Sequence, residues 1–326
     1  MVDCPWMEQP PFDPPILRSP ETVLDQVPNV QFYIPELSFK QLENPFIESQ
    51  ASSYALEAIC AFPPLPAPPT LTPLPTPSPA AVEPGRLYPF GSNALLLGAS
   101  RDGEWLQPDE AARGVTASIP FHLYGFEGYK GEFTGSLRND GLMATCPGQP
   151  WIDFTTPPSS PDLIALSGRW DAQPRRVWEI AVSDTYITVV EDFLRQAGMP
   201  ATPVEIDSIY RFDIEGDGFE EVLIAASYFA DGPIPPGATP GDYSILILRA
   251  LVDGQVTSVP LIDQHYPSAR PGINPAQFRI GGILDLNGDG AFDMVAYGNY
   301  AFGTQYWTFD LTRPALGPVA QTNCMP

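Results

Sequence analysis

The sequence predicts a mainly β fold of antiparallel sheets, in propeller-like or irregular β repeats, with one helix near residues 184–197 and an extended N-terminal arm. Three observations lead to this prediction. Proline accounts for 41 of 326 residues, which favours extended backbone over long helices. After residue 85, short apolar runs alternate with Gly, Asp, Asn and Pro, as in strands joined by turns. Two stretches of the C-terminal third also resemble one another, which indicates a repeat.

A proline-rich segment divides the chain. Nine of the seventeen positions from 63 to 79 are Pro, which is typical of a semi-rigid polyproline II spacer. We therefore predict an extended N-terminal arm at 1–62, a proline-rich linker at 63–84 and a β-rich domain at 85–326. Residues 1–62 are too few and too often broken by Pro to bury a core alone. Their clustered aromatic residues favour an arm that docks on a protein partner or mediates self-assembly over a flexible tail.

The β-rich domain begins with strand-like segments. Three apolar runs predict strands at residues 93–99, 118–124 and 131–137. The one predicted helix starts at Asp184, which can cap its N-terminus, and stops at Gly198. Between these residues the apolar side chains recur at helical spacing, so the simplest role of the helix is packing.

The charge balance excludes several partners. With 39 acidic against 16 basic residues, the formal net charge is -23. Such a surface repels phosphates and anionic lipid headgroups, so we expect no nucleic-acid partner, and cations are the natural counterpart. No apolar run reaches about 18 residues, so no transmembrane segment is predicted, and the first 30 residues contain no signal peptide in the chain as given.

Two loops of the C-terminal third carry the clearest chemical signal. Calcium takes six to eight oxygen ligands, which a short loop supplies when acidic residues recur at alternate positions. In the first loop the candidate ligands at positions one, three, five, seven and nine are Asp213, Glu215, Asp217, the Phe219 carbonyl and Glu221. In the second they are Asp285, Asn287, Asp289, the Ala291 carbonyl and Asp293, at an offset of 285 − 213 = 72 residues. We predict two Ca²⁺ sites, each between two strands.

Glycines support a tight loop at both places. Gly218 and Gly290 stand at position six, where a sharp turn needs a positive φ. Neither loop is an EF-hand, because Ile224 and Ala296 occupy position twelve, where that motif needs Glu. The competing interpretation is a pair of ordinary hairpin turns without metal, which the match between two loops at five positions disfavours.

These loops resemble the FG-GAP repeat of integrin α-subunits and bacterial surface proteins, in which DxDxDGxxD loops bind calcium within a β-hairpin. The resemblance covers about residues 205–311 and is specific at the loops. Glu215 departs from the usual Asp or Asn at position three, and no clear FG-GAP tetrapeptide is present. The resemblance implies calcium-loaded hairpins in a cell-surface or secreted protein.

The sequence contains no common catalytic motif. GxSxG, HExxH, phosphate-loop and dinucleotide-binding patterns are all missing, so we do not predict an enzyme. The expected function is a non-catalytic extracellular or cell-surface calcium-binding protein that acts in adhesion or assembly, with calcium in a structural role. Millimolar extracellular calcium suits loops of this kind.

The alternative function is a secreted hydrolase or carbohydrate-binding module with a calcium-supported site, for which glycan would be the partner. Such a site needs exposed aromatic side chains beside a groove. Trp307 is the first candidate for such a side chain, because Tyr306 and Trp307 must face opposite sides of any strand and one of them can meet solvent or a ligand.

The four cysteines are Cys4, Cys60, Cys146 and Cys324. They form no CxxC pattern, which argues against a zinc knuckle. Their positions favour the pairs Cys4–Cys60 and Cys146–Cys324 among three connectivities, and buried free thiols remain the alternative.

Overall fold

The computed structural model describes residues 82–114, 117–141, 146–158, 163–232, 235, 237–252 and 254–324, which belong to one compact unit. The predicted arm at 1–62 and the predicted linker up to residue 81 lie outside the described residues. Within them the chain is mainly β, with antiparallel sheets, as the sequence predicts. No helix of this part of the chain is long and apolar enough to cross a membrane.

The first sheet closes on itself. Its seven strands are β1 (Tyr88–Ser92), β2 (Leu95–Arg101), β3 (Glu104–Leu106), β4 (Ile119–Gly125), β5 (Gly128–Arg138), β6 (Trp151–Phe154) and β7 (Ile164–Leu166). They pair in the order β1-β7-β4-β5-β6-β2-β3, and β1 also pairs with β2, so six strands form a ring. The three predicted strands correspond to β2, β4 and β5. Strand β2 starts two residues later than predicted, because Asn93 and Ala94 have positive φ and form the turn after β1.

The second and third sheets are antiparallel meanders. The second contains β8 (Trp178–Glu179), β9 (Ile206–Phe212), β10 (Glu221–Tyr228), β11 (Tyr243–Val252) and β12 (Gln255–His265). The third contains β13 (Gln277–Leu284), β14 (Asp293–Tyr300), β15 (Gly303–Asp310) and β16 (Ala320–Cys324). Strand β9 pairs with β10 and β13 with β14, so each predicted loop joins two strands of a hairpin, as predicted.

Two α-helices, α1 (Pro108–Gly114) and α2 (Asp184–Gln196), and a 3₁₀ turn at Pro314–Leu316 complete the described part of the chain. Helix α2 is the predicted helix, and its buried residues Val190 and Leu194 pack on the second sheet. Its N-cap is Ser183, whereas the sequence predicts Asp184 there. Asp184 instead lies in the first turn, where its charge favours the helix dipole.

The two meanders share one apolar core. Phe212 of β9 and Phe278 of β13 are each 1% exposed within it, together with Met294 and Phe309 of the third sheet. The rings of Phe212 and Phe292 meet edge to face, with centroids 6.0 Å apart. Burying an aromatic side chain of this kind stabilises the fold by about 2 kcal/mol, so this core fixes the two meanders against each other.

A disulfide joins Cys146 to Cys324, whose Cα atoms are 5.0 Å apart. It links the connection between β5 and β6 of the first sheet to the end of β16. This confirms one of the two predicted pairs, while Cys4 and Cys60 lie outside the described residues. Beside it, the Thr322 hydroxyl donates a hydrogen bond of 3.4 Å to the Leu96 carbonyl of β2. The C-terminal strand is thus attached to the first sheet by covalent and polar contacts.

Candidate metal centre

In the first loop, between β9 and β10, the carboxylate at position one organises the backbone. Asp213 Oδ1 accepts hydrogen bonds from the amides of Gly216 at 2.6 Å and Asp217 at 3.2 Å. Its Oδ2 accepts one from the Gly218 amide at 2.9 Å. A single side chain therefore satisfies three backbone donors of the loop, which curls the chain around it.

The second loop, between β13 and β14, repeats this arrangement 72 residues later. Asp285 Oδ1 accepts from the Gly288 amide at 2.6 Å, and Oδ2 accepts from the Gly290 amide at 3.0 Å. The φ angles also agree, at 80° for Gly216 and Gly288, and at 89° and 88° for Gly218 and Gly290. These left-handed conformations explain why glycine stands at positions four and six of both loops.

The acidic residue at position nine closes each loop. Glu221 Oε2 accepts a hydrogen bond of 2.9 Å from the Ile214 amide, and Asp293 Oδ2 accepts one of the same length from the Leu286 amide. In both cases the donor is the residue at position two. The two loops thus share their bonds at the first and last acidic positions, although Glu replaces Asp in the first.

Positions three, five and seven differ more between the two loops in their hydrogen bonds and in their exposure. Asp217 Oδ1 accepts from the Phe219 amide at 2.9 Å, and both residues are exposed. In the second loop Asp289 Oδ1 accepts from the Ala291 amide at 2.8 Å, while the Asn287 side-chain amide donates to Asp289 Oδ2 at 2.9 Å. Glu215, the corresponding residue at position three of the first loop, is exposed, whereas Asn287 is only 5% exposed. The second loop is therefore the more enclosed.

Buried carboxylates dominate the electrostatics of the second loop. Asp285 and Asp293 are 3% and 2% exposed. Burial, with a contribution from the charge of Asp289, raises the pKa of Asp285 to about 6. Burial also raises the pKa of Asp293 well above its usual range, and Asp289, Asp285 and Asp310 add repulsion. In the first loop burial raises the pKa of Glu221 in the same way.

The donor chemistry of both loops fits a hard cation, since each provides carboxylate and carbonyl oxygens and concentrates negative charge. Among the described residues, however, no group of three or more His, Cys, Asp and Glu side chains is gathered closely enough to hold a metal ion. The hydrogen bonds give the reason: the carboxylates at positions one, five and nine are oriented towards backbone amides. Each carboxylate keeps free lone pairs, so an ion would have to draw these side chains together.

Arg175 joins the two loops, and sequence analysis does not identify it. Its Nε donates to the Asp213 carbonyl at 2.8 Å, and its Nη2 donates to the carbonyls of Ile214 at 2.6 Å and Gly290 at 2.7 Å. The guanidinium carbon lies 4.7 Å from the ring centroid of Phe292. Arg175 lies in an irregular segment 38 residues before the first loop, without a motif. Only the scarcity of basic residues in this acidic chain hints at a role.

The same irregular segment holds the second loop. The Trp170 indole Nε1 donates to the Asp285 carbonyl at 2.8 Å, and the Asp285 amide donates to the Ala172 carbonyl at 2.8 Å. Residues 170–175 thus contact both loops at position one, so the two candidate sites form one bonded assembly.

Comparison with known proteins adds no assignment, since no protein family, curated protein or solved structure matches this chain.

Proposed function

We propose that this protein is a non-catalytic calcium-binding protein of the extracellular space or cell surface that acts in adhesion or assembly. One observation carries the proposal: two loops with the same acidic positions, glycine conformations and closing hydrogen bonds lie side by side, bridged by Arg175. Bound calcium would supply positive charge that holds the loop oxygens together. Its role is structural, because it would stiffen the junction of the two meanders.

The proposed ligands are those of the sequence pattern. In the first loop they are Asp213, Glu215, Asp217, the Phe219 carbonyl and Glu221, and in the second Asp285, Asn287, Asp289, the Ala291 carbonyl and Asp293. The raised pKa of Asp293 supports this proposal, because buried carboxylates that repel one another are stabilised by a cation. The resemblance of the loops to FG-GAP repeats points the same way.

The extracellular location follows from the same proposal. Loops built from hairpin turns bind calcium weakly compared with cytosolic buffers, and millimolar calcium fills such sites. Residues 1–62 would then serve as an arm for a protein partner or a second copy of the chain. The second candidate function is a secreted hydrolase or carbohydrate-binding module, which a tyrosine-lined cleft among the three sheets favours.

Thermal unfolding of dialysed, calcium-free protein tests the calcium proposal. Calcium at about 100 times Kd stabilises by about 2.7 kcal/mol per site, which corresponds to a rise in Tm of roughly 5–10 °C for a domain of this size. Asp217→Asn keeps an oxygen for the Phe219 amide but removes the charge, and Asp289→Asn does the same for the Ala291 amide while it also loses the hydrogen bond from the Asn287 side chain. Each should lose about half of the rise, and the calcium-free Tm should stay near that of the parent for Asp217→Asn and fall for Asp289→Asn.

The matched control is Asp102→Asn. Asp102 Oδ1 accepts a hydrogen bond of 2.8 Å from the Gly85 amide, as Asp217 does from the Phe219 amide, but Asp102 lies outside both loops and outside residues 170–175. Its calcium-dependent rise in Tm should equal that of the parent. If calcium leaves the Tm of the parent unchanged, the loops are ordinary turns and the proposal is wrong.

A further inference from the structure

A cleft of about 640 Å³ lies where the three sheets meet, away from the two loops. Asn93 between β1 and β2 contributes to one side, Tyr210 of β9 to another, and Tyr297 of β14 and Tyr306 of β15 to a third. This volume falls within the range of about 300–1,000 Å³ that is typical of small-molecule sites. Because all three sheets contribute, the cleft depends on the packing of the whole domain.

Tyrosine rings form the apolar surface of the cleft. Tyr297 and Tyr306 are directly opposite on β14 and β15, and their ring centroids are 6.1 Å apart. Both are half-buried, so part of each ring stays accessible. A Cβ at Gly281, in the irregular pairing of β13, would approach Tyr297 Cδ1 to 3.3 Å. The glycine therefore leaves room for the Tyr297 ring beside the cleft.

The opposite wall has an aromatic surface of its own. Tyr210 stacks on Phe126, with centroids 4.7 Å apart and ring planes inclined by 9°. On β15, Trp307 faces away from the cleft and packs against Phe278, with centroids 4.8 Å apart. Of the pair that the sequence places on opposite faces of one strand, Tyr306 is therefore the residue that lines the cleft.

Polar groups surround these rings. Glu179, Asp207 and Arg279 line the cleft and are exposed. Asp207 Oδ2 accepts a hydrogen bond of 2.7 Å from the Ser227 hydroxyl, which orients its carboxylate. The Asn299 side-chain oxygen accepts one of 3.1 Å from the Thr304 hydroxyl. The cleft therefore offers fixed acceptors and at least one cationic donor close to accessible ring faces.

We propose that this cleft binds a neutral oligosaccharide. A sugar ring has an apolar face of C–H groups, which stacks on tyrosine, and a rim of hydroxyls, which exchange hydrogen bonds with carboxylate, amide and guanidinium groups. Anionic ligands do not fit, because Glu179 and Asp207 outnumber Arg279 and the whole chain carries a net charge of -23. The inference deepens the second candidate function, a carbohydrate-binding module, on which its biological meaning rests, by naming the class of ligand.

The test is calorimetric titration of the full chain with hexasaccharides of β-1,4-linked glucose, α-1,4-linked glucose and β-1,4-linked N-acetylglucosamine, and with polygalacturonate as the anionic probe. At least one neutral probe should bind. Tyr297→Ala and Tyr306→Ala should each weaken that binding at least tenfold, since stacking on one aromatic ring is lost. Tyr306→Phe keeps the ring and should stay within about threefold of the parent.

Tyr129→Ala is the control, because Tyr129 is 56% exposed on β5 and does not line the cleft. It should bind like the parent. If an alanine variant of the cleft fails to fold, Arg279→Met on the rim replaces it and should also weaken binding, by about threefold or more. The inference is overturned if no neutral probe binds, if polygalacturonate binds best, or if Tyr129→Ala weakens binding as much as Tyr306→Ala.

Repeating the titration with and without calcium separates this inference from the calcium proposal. If the protein binds a neutral oligosaccharide and its Tm does not depend on calcium, the inference about the cleft is supported and the calcium proposal is wrong. If the Tm depends on calcium and no oligosaccharide binds, the calcium proposal is supported and the inference about the cleft is wrong. Release of reducing ends from a bound probe would support the ligand class and contradict the non-catalytic part of the proposed function.

Discussion

The Phe292 amide donates a hydrogen bond of 3.0 Å to the Ile214 carbonyl, although the two residues lie in hairpin loops of different sheets. Ile214 is at position two of the first loop and Phe292 at position eight of the second. This backbone bond and the Arg175 guanidinium connect the two loops, so a structural change in one loop also alters the contacts of the other.

Replacing Arg175 should destabilise the domain more than any other basic residue of this region. Arg175→Ala removes three hydrogen bonds to backbone carbonyls, at about 1 kcal/mol each, and a cation–π contact, although the Ile214 carbonyl keeps the Phe292 amide. We expect a loss of ~3 kcal/mol in the free energy of unfolding, measured in urea. Arg176→Ala is the control, since Arg176 is exposed and lies 5.8 Å from the Trp178 ring. Equal effects of the two substitutions would contradict the bridging role.

Calcium-free protein should lose stability as pH rises from about 4 to 7. The folded-state pKa of Asp285, about 6, exceeds the value of 3.8 for an unperturbed Asp. Its contribution is therefore complete below pH 3.8 and is lost as pH rises through about 6. The shift corresponds to about 3 kcal/mol, at 1.36 kcal/mol per pKa unit.

With saturating calcium this fall should be smaller, because the cation favours the ionised carboxylates. The measurement is Tm against pH for dialysed protein, with and without calcium. Asp285→Asn distinguishes the contribution of the Asp285 carboxyl from the general charge repulsion of an acidic chain. Without calcium, the curve of Tm against pH should be flatter for this variant than for the parent. A parent curve that rises through this window without calcium would contradict the burial argument.

Two glycines of the second loop should respond differently to alanine. Gly290 has a φ of 88° and open space at its Cβ position, so Gly290→Ala costs only the left-handed conformation, about 1–2 kcal/mol. At Gly288, with a φ of 80°, a Cβ would also meet Val82 Cγ2 at 2.8 Å and Trp170 Cε3 at 3.1 Å. Gly288→Ala should therefore lower the unfolding free energy by at least ~1 kcal/mol more. Equal losses of unfolding free energy for the two variants, measured by urea denaturation, would contradict a cost for the close approach to Val82 and Trp170.

Removing the disulfide should weaken the whole domain. The Cys146–Cys324 bond closes a segment with a sequence separation of 178 residues, and loss of such a cross-link costs about 2–5 kcal/mol. We expect Cys146→Ser to lower the urea midpoint by an amount that corresponds to this loss of unfolding free energy. Mass spectrometry of an unreduced digest should contain a peptide that joins Cys146 to Cys324, whereas a link from Cys146 to Cys4 or Cys60 would contradict the structure.

The sequence predicts what is local. Helical spacing places α2 within two residues of its observed ends, and the spacing of acids and glycines places both loops between paired strands. Arg175 is not predictable in this way, because its partners lie 38 and 115 residues away. The cleft escapes prediction for the same reason, since Asn93 and Tyr306 meet only after three sheets have packed. Calcium binding itself stays a prediction.

The attachment of β16 to the first sheet sets the order in which this domain can be completed. Thr322 contacts Leu96 across 226 residues, and Gln107 Nε2 donates to the Val319 carbonyl across 212. Contacts between such distant parts of a chain close large loops, and loop-closure entropy makes topologies of this kind slow to fold. In a chain emerging from a ribosome or an export channel, β1 to β7 can pair with one another before residues 320–324 arrive to contact Leu96 of β2. We therefore expect a first sheet that still lacks its contacts with β16 to be the state that chaperones and proteases encounter.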